Sequence, residues 1–264
     1  MARVLVMGGT GLLGRAVTAE AVERGHDVVV ASRRVPDDDA PQYIPGADYR
    51  AADIVSGDGL EEALERVDVL IDASNGTGRE AAHVFAFGSQ NLMHTAARFG
   101  VHRAVLASIV NVELSSYKYY RAKAAQEVIY RESPLETRIV RLTQFHEFVT
   151  SFFQRGSRLG LIYAPAKISF QPIAVNDAAR LLVDAAEDDG HDGANSTRSF
   201  GGPRVETARD LAGQWKSSTG ARGAIVGVAI PGPLGVSWRA GQNLVPEQAI
   251  EGLAYSEWLS STVV

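Results

Sequence analysis

Short apolar runs alternate with stretches of helical spacing along most of this chain, which is the pattern of a strand–helix–strand succession. Val4–Val6 reads as a strand buried on both faces. It leads through Gly8, Gly9, Thr10, Gly11 and Gly14 into a helical stretch, Arg15–Arg24. Gly25 suits the residue after that helix, and Val28–Ala31 resumes as a second strand. Ala47–Ala52, Val69–Ala73, Val105–Ala107 and Thr137–Leu142 predict four further strands, with Pro134 in the turn before the last. Leu60, Ala63, Leu64 and Val67 recur at helical spacing, and a long helix is predicted over Glu80–Phe99, with Phe85, Leu92, Ala96 and Phe99 as core. Pro172–Val175 predicts a strand that enters the helix Asp177–Ala186 through Asn176 as its cap. Thr197–Gly201 predicts a last sheet strand. Glu206–Ser217 and Pro246–Leu259 read as helices, and Ala224–Ile230 as an extended segment.

The chemistry is concentrated first at Gly8-x-x-Gly11-x-x-Gly14. A strand, a glycine turn and a helix in that order form the phosphate-binding corner of a dinucleotide fold. Glycine permits the tight turn and lets a pyrophosphate reach backbone N–H groups at a helix N-terminus, where the dipole favours anions. The expected contacts are Gly8, Thr10, Gly11, Leu12, Leu13 and Gly14. A purely structural glycine corner is the competing explanation, and the second strand at the expected distance argues against it. Just past that strand, a carboxylate would select NAD and positive charge would select the 2′-phosphate of NADPH. The residues there are Ser32, Arg33 and Arg34, so the expected cofactor is NADPH, against the alternative of a solvated basic turn. Asp53 either contacts the adenine amino group or serves as a turn residue. Ala73, Ser74 and Asn75 end a strand where ligands sit in open α/β sheets. The fold class is therefore α/β, a Rossmann-type doubly wound parallel sheet. Residues 1–264 are expected to form a single NAD(P)-binding domain, with a small C-terminal substrate lobe built from segments after about residue 143.

Composition narrows the function classes. A net charge of −5 gives no electrostatic footprint for nucleic acid. No run is apolar enough to span a bilayer, and no basic segment followed by an apolar one opens the chain, so a cytoplasmic protein is expected. The chain has 0 Cys, which excludes disulfides and thiolate metal sites. His26, His83, His94, His102, His146 and His191 are dispersed, so no metal is expected. The expected partner is a small-molecule substrate, with a homodimer as the assembly to test for.

A second concentration of chemistry lies in Ser115–Ile129. Tyr119 and Lys123 are four apart and share one face of a helix. A phenol beside an ammonium can protonate a carbonyl oxygen that receives hydride, because the cation favours the phenolate left behind. The same lysine can hold the nicotinamide ribose. Tyr117 and Tyr120 lie nearby, and the pairing with Lys123 is what favours Tyr119.

The glycine corner, Tyr119-x-x-x-Lys123 and Arg141-Leu-Thr-Gln-Phe145 together resemble the atypical short-chain dehydrogenase/reductase superfamily, in its NmrA-like NAD(P)H-binding branch. The resemblance covers most of the chain, including Gln171–Glu187 and Trp238–Leu259. It implies a catalytic serine, tyrosine and lysine at Ser108, Tyr119 and Lys123. The Ser108-to-Tyr119 interval is shorter than in many members, which leaves open whether Ser108 reaches the substrate. Thr143, Gln144, Phe145 and His146 are expected by the nicotinamide, and Phe148, Phe152 and Phe153 add aromatic surface, with Phe145, His146 and Phe148 as candidate substrate contacts against the alternative of packing the lobe. The activity implied is NADPH-dependent reduction of a ketone, enone or quinone of a small apolar or aromatic compound. The alternatives are a non-catalytic NADPH-sensing regulator and, less favoured, an epimerase or dehydratase.

Overall fold

The computed structural model describes every residue except 77, 79, 158–159, 189–194 and 263–264, so His191 lies outside the described residues. In chain order the elements begin with β1 (Arg3–Met7), α1 (Leu12–Glu23), β2 (Asp27–Ser32), β3 (Ala47–Ala51), α2 (Leu60–Leu64) and β4 (Val69–Asp72). They continue with α3 (Glu80–His83), α4 (Ser89–Arg98), β5 (Arg103–Ile109), α5 (Lys118–Arg131), β6 (Glu136–Leu142) and α6 (His146–Ser157). The remainder comprises β7 (Leu161–Pro165), β8 (Ser169–Phe170), α7 (Val175–Glu187), β9 (Asn195–Phe200), β10 (Glu206–Thr207), α8 (Ala208–Thr219), β11 (Ala224–Val228), α9 (Gly232–Arg239) and α10 (Tyr255–Thr262).

A seven-stranded sheet runs β3-β2-β1-β4-β5-β6-β9, with parallel pairing from β3 through β5. This is the doubly wound α/β architecture. Its central strands are mostly apolar because both faces are covered; β1 is buried from Val4 to Met7 and β4 along its whole length, the buried Asp72 at its end included. The chain forms two compact units. One comprises 1–108, 118–140 and 178–198, and the other 109–117, 141–177 and 199–264. In the first, Leu5, Val29, Leu70 and Leu106 of the sheet pack with Leu60, Leu64, Leu92 and Tyr130. In the second, Phe153, Phe170, Trp215, Trp238 and Tyr255 share an aromatic core, and β7 pairs with β11 and β8 with β10. No described helix is long and apolar enough to cross a membrane.

Five expectations need correction. The predicted helix over Glu80–Phe99 contains a π-helical turn, Val84–Gly88, between α3 and α4. Helix α2 stops at Leu64, because Glu65 turns extended and Arg66 adopts a left-handed φ of 59°. Pro172–Val175 is not a strand: only Ile173 pairs, in an isolated bridge to Phe145, and α7 starts at Val175, so Asn176 is inside the helix. Pro246–Leu259 is not one helix either. A 3₁₀ turn at Pro246–Gln248 ends where the backbone pairs with Gly201, through Gly201 N–H to Gln248 O and Ile250 N–H to Gly201 O. Backbone groups used in such pairing are withdrawn from a helix. Glu206 likewise belongs to β10, and α8 begins at Ala208, capped by Thr207, whose Oγ1 accepts from the Asp210 N–H at 3.1 Å.

Candidate functional site

The site grows from the carboxyl ends of β1 and β4, where strand order reverses about β1 and where open α/β sheets bind ligands. Gly8 follows β1 in a left-handed conformation, φ 77°, and a Cβ there would fall 2.9 Å from Ser74 Cα. A Cβ on Gly9 would meet Val30, and one on Gly14 would meet the Gly8 and Gly9 backbone. Gly11 differs: among the described residues its Cβ position contacts only the Gly8 carbonyl oxygen, at 3.3 Å, and otherwise faces open space. Gly11 is also the N-cap of α1, with no side-chain cap and no acidic residue in the first turn. The N–H groups around Thr10, Leu12 and Leu13 thus meet no competing carboxylate on the helix. That cradle fits a pyrophosphate, whose charge the helix N-terminus favours.

On the β2 side, Ser32 is buried and its Oγ donates to the Arg34 carbonyl at 2.7 Å, which fixes the turn that carries Arg33 and Arg34. Both arginines are exposed. Asp53 has a local role, its Oδ1 accepting from the Val55 N–H at 2.8 Å. On the β4 side, Ala73 donates to the Met7 carbonyl at 3.0 Å, so the loop carrying Ser74 and Asn75 leaves the sheet beside the glycine corner. The Ser74 hydroxyl is buried and finds no hydrogen-bond partner among the described residues.

Helix α5 brings Tyr119 to this loop. The Tyr119 hydroxyl donates to Asn75 Oδ1 at 2.8 Å, and the ring meets Phe85 edge-on at 5.3 Å. Lys123, one turn along, is buried, with its Nζ 4.6 Å from the centroid of the Phe85 ring. Burial lowers the Lys123 pKa to about 8, against the opposing pull of Asp72 and then Glu127. Phe85 lies in the π-helical turn, which places one ring against both residues. Tyr120 is buried, whereas Tyr119 keeps part of its surface open. Ser108 is buried at the end of β5 and donates its one proton to Glu127 Oε1 at 2.6 Å. In this state it offers an incoming carbonyl oxygen only lone pairs.

Phe145, His146 and Phe148 belong to the other unit. Phe145 is half-buried beside the bridge to Ile173. His146 is fully buried, with Nε2 2.9 Å from the Leu253 carbonyl and its ring against Tyr255 and Trp258. Burial lowers its pKa to about 4. Phe148 is exposed and packs edge-on against Phe152 and Trp238. Sequence reasoning missed Asp72, Ser89, Gln126 and Tyr130, which form a buried hydrogen-bonded cluster beneath the loop after β4. The available signal was a run of polar residues continuing the Tyr119–Lys123 spacing along one face of α5.

A family model described as NAD(P)H-binding matches residues 8–189. The chain belongs to this NAD(P)H-binding family. Membership agrees with the resemblance to atypical short-chain dehydrogenases/reductases, and a nicotinamide dinucleotide is the cofactor class. The NAD(P)H-binding chain is 24% identical over 223 residues to the chloroplastic divinyl chlorophyllide a 8-vinyl-reductase of Arabidopsis thaliana, covering 76% of this chain and 53% of that protein. It is 29% identical over 149 residues to the photosystem II assembly factor Ycf39 of Synechocystis, covering 54% and 45%. It spans about half the length of these curated relatives, and 12% of a longer Mycobacterium bovis protein. The fold is shared with the NADPH-dependent quinone oxidoreductase of Escherichia coli, solved with NADPH, at a TM-score of 0.80 and 16% identity over 98% of this chain and 99% of that one.

Proposed function

We propose that this protein is an NADPH-dependent reductase of a ketone, enone or quinone carried by a small apolar or aromatic compound. The observation that carries this reading is the pairing of half-open Tyr119 with buried Lys123 on one face of α5, beside the loop that adjoins the glycine corner. A nicotinamide supplies the hydride. The chain's own part is to bind, orient and protonate. Gly8–Gly14 would hold the pyrophosphate, Arg33 and Arg34 the 2′-phosphate, and Ser74 and Asn75 the edge of the site near the nicotinamide. Tyr119 would deliver its hydroxyl proton to the substrate oxygen, and Lys123 would stabilise the phenolate and hold the ribose hydroxyls. Because the Ser108 proton is engaged with Glu127, proton delivery in this reading rests on Tyr119.

The competing reading is a regulator that senses the dinucleotide without turning it over. In its favour, Tyr119 and Ser108 both donate to residues of the chain itself, to Asn75 and Glu127. The relatives include both a reductase and an assembly factor, so they do not separate the two. NADPH oxidation should be followed against panels of quinones, enones and aromatic ketones. Turnover of any panel compound at pH 7 that disappears in Lys123→Ala supports the reductase. Tight NADPH binding with no turnover across the panels supports the sensor.

A further inference from the structure

The buried face of α5 is polar, where a helix packed on a sheet ordinarily presents an apolar stripe. Lys123, Gln126, Glu127 and Tyr130 are all buried on it, in line with Tyr119. The residue that meets this stripe from β4 is Asp72, itself without exposed surface. Its Oδ1 accepts from the Ser74 N–H at 2.8 Å and so shapes the loop that carries Asn75. Its Oδ2 accepts from the Tyr130 hydroxyl at 2.7 Å and from the Gln126 amide at 3.1 Å. That same amide donates to Ser89 Oγ of α4 at 2.9 Å. One carboxylate therefore ties β4, α5, α4 and the loop after β4 together.

We propose that Asp72 is the positioning residue of this site: it seats α5, and with it Tyr119 and Lys123, against the loop after β4, and serves as the counter-charge on that helix face. The inference rests on the proposed reductase site, whose Tyr119 and Lys123 ride on that helix. A buried carboxylate is stable only when hydrogen-bonded and near a counter-charge. Three donors meet the first requirement, and Lys123 meets the second. Burial pushes the Lys123 ammonium down to about 8, and Asp72 is the stronger of the two carboxylates holding it up, ahead of Glu127. On α5 itself, Arg131 is paired to the second oxygen of Glu127. From the π-helical turn comes the uncharged Phe85 ring, and His83 of α3 stacks instead on Phe87.

The test is Asp72→Asn, which keeps the side chain's size and an acceptor for the Ser74 N–H but removes the charge. Lysine side chains are titrated by ¹³C NMR in the cofactor-free chain, where Lys118, Lys123, Lys167 and Lys216 are the lysines to assign. NADPH affinity is measured across the same pH range. The Lys123 midpoint should fall by about one pH unit, the scale expected for losing a nearby opposite charge. The alkaline loss of NADPH affinity should move with it. An unmoved midpoint overturns the assignment of Asp72. A midpoint that falls while NADPH affinity is insensitive to pH in both proteins upholds Asp72 and refutes Lys123 as a ribose ligand. Should Asp72→Asn not fold, Asp72→Ser, smaller and still an acceptor, carries the same expectation.

Discussion

Gly11 and Gly14 stand three residues apart in one corner, yet substitution should affect them in opposite ways. A Cβ on Gly14 falls 2.6 Å from Gly9 Cα and 2.8 Å from the Gly8 carbonyl carbon, both backbone atoms that cannot rotate aside. Reaching an ordinary carbon–carbon separation of about 3.5–4.0 Å means opening the corner by ~1 Å. Overpacking of that kind costs about 1–3 kcal/mol. At ~2–4 °C per kcal/mol for a chain of this length, Gly14→Ala should lower Tm by roughly 2–12 °C. A Cβ on Gly11 meets only one oxygen, at 3.3 Å, and the backbone there has an ordinary φ of −76°. Gly11→Val should therefore stay within about 1 kcal/mol of wild-type stability, the scale of a weakened helix cap. Its methyl groups would nevertheless fill the space a pyrophosphate has to enter, and NADPH affinity should fall about a hundredfold or more, ~2.7 kcal/mol. Thermal unfolding and fluorescence titration with NADPH separate the two effects. Wild-type affinity in Gly11→Val would refute the placement of the dinucleotide, and an unchanged Tm in Gly14→Ala would refute the packing argument.

Two further outcomes follow from the charged and titratable groups. Arg33 and Arg34 present two guanidinium groups on the turn fixed by Ser32, so the wild type should prefer NADPH to NADH by roughly tenfold or more. Paired titrations check this, and a double Arg33→Ala/Arg34→Ala variant that kept the preference would contradict it. His146 titrates near 6.5 when unfolded but near 4 when buried, so the unfolded chain binds the extra proton between those values. Its contribution is complete above pH 6.5 and is lost as pH falls toward 4, on the order of 3 kcal/mol in all. Urea unfolding at pH 7.5 and 4.5 should show a loss roughly 2–3 kcal/mol larger in wild type than in His146→Leu. Equal losses would show that the buried ring is not what makes the fold acid-sensitive.

The parts of this molecule that were legible in the sequence are those in which local chemistry and tertiary demand coincide. Val4–Val6 is apolar because both sheet faces bury it, and Gly8 is glycine because the turn needs φ 77° beside Ser74. Tyr119 and Lys123 were legible because a spacing of four carries directly onto a helix face. Other features depend on partners distant in sequence. Ile173 finds only a single bridge at Phe145, so an apolar Pro172–Val175 run did not become a strand. The helix expected from Pro246 is interrupted because Gly201 takes its backbone groups. Asp72 closes an apolar strand and reads as an ordinary strand end; its importance appears only when Gln126 and Tyr130 arrive from a helix more than fifty residues later. The engagement of Ser108 with Glu127 is equally invisible, since nothing in the spacing says which way the hydroxyl turns.

The central claim, that Tyr119 is the proton donor of a reductase, is tested most directly by Tyr119→Phe on a substrate the wild type turns over. The phenol acts mainly in the transition state, so NADPH affinity should stay near wild type while kcat falls roughly a hundredfold or more. Lys123→Ala, run beside it, should weaken both. An undiminished kcat in Tyr119→Phe would contradict the account, and a loss confined to Tyr117→Phe or Tyr120→Phe would move the donor to that neighbour.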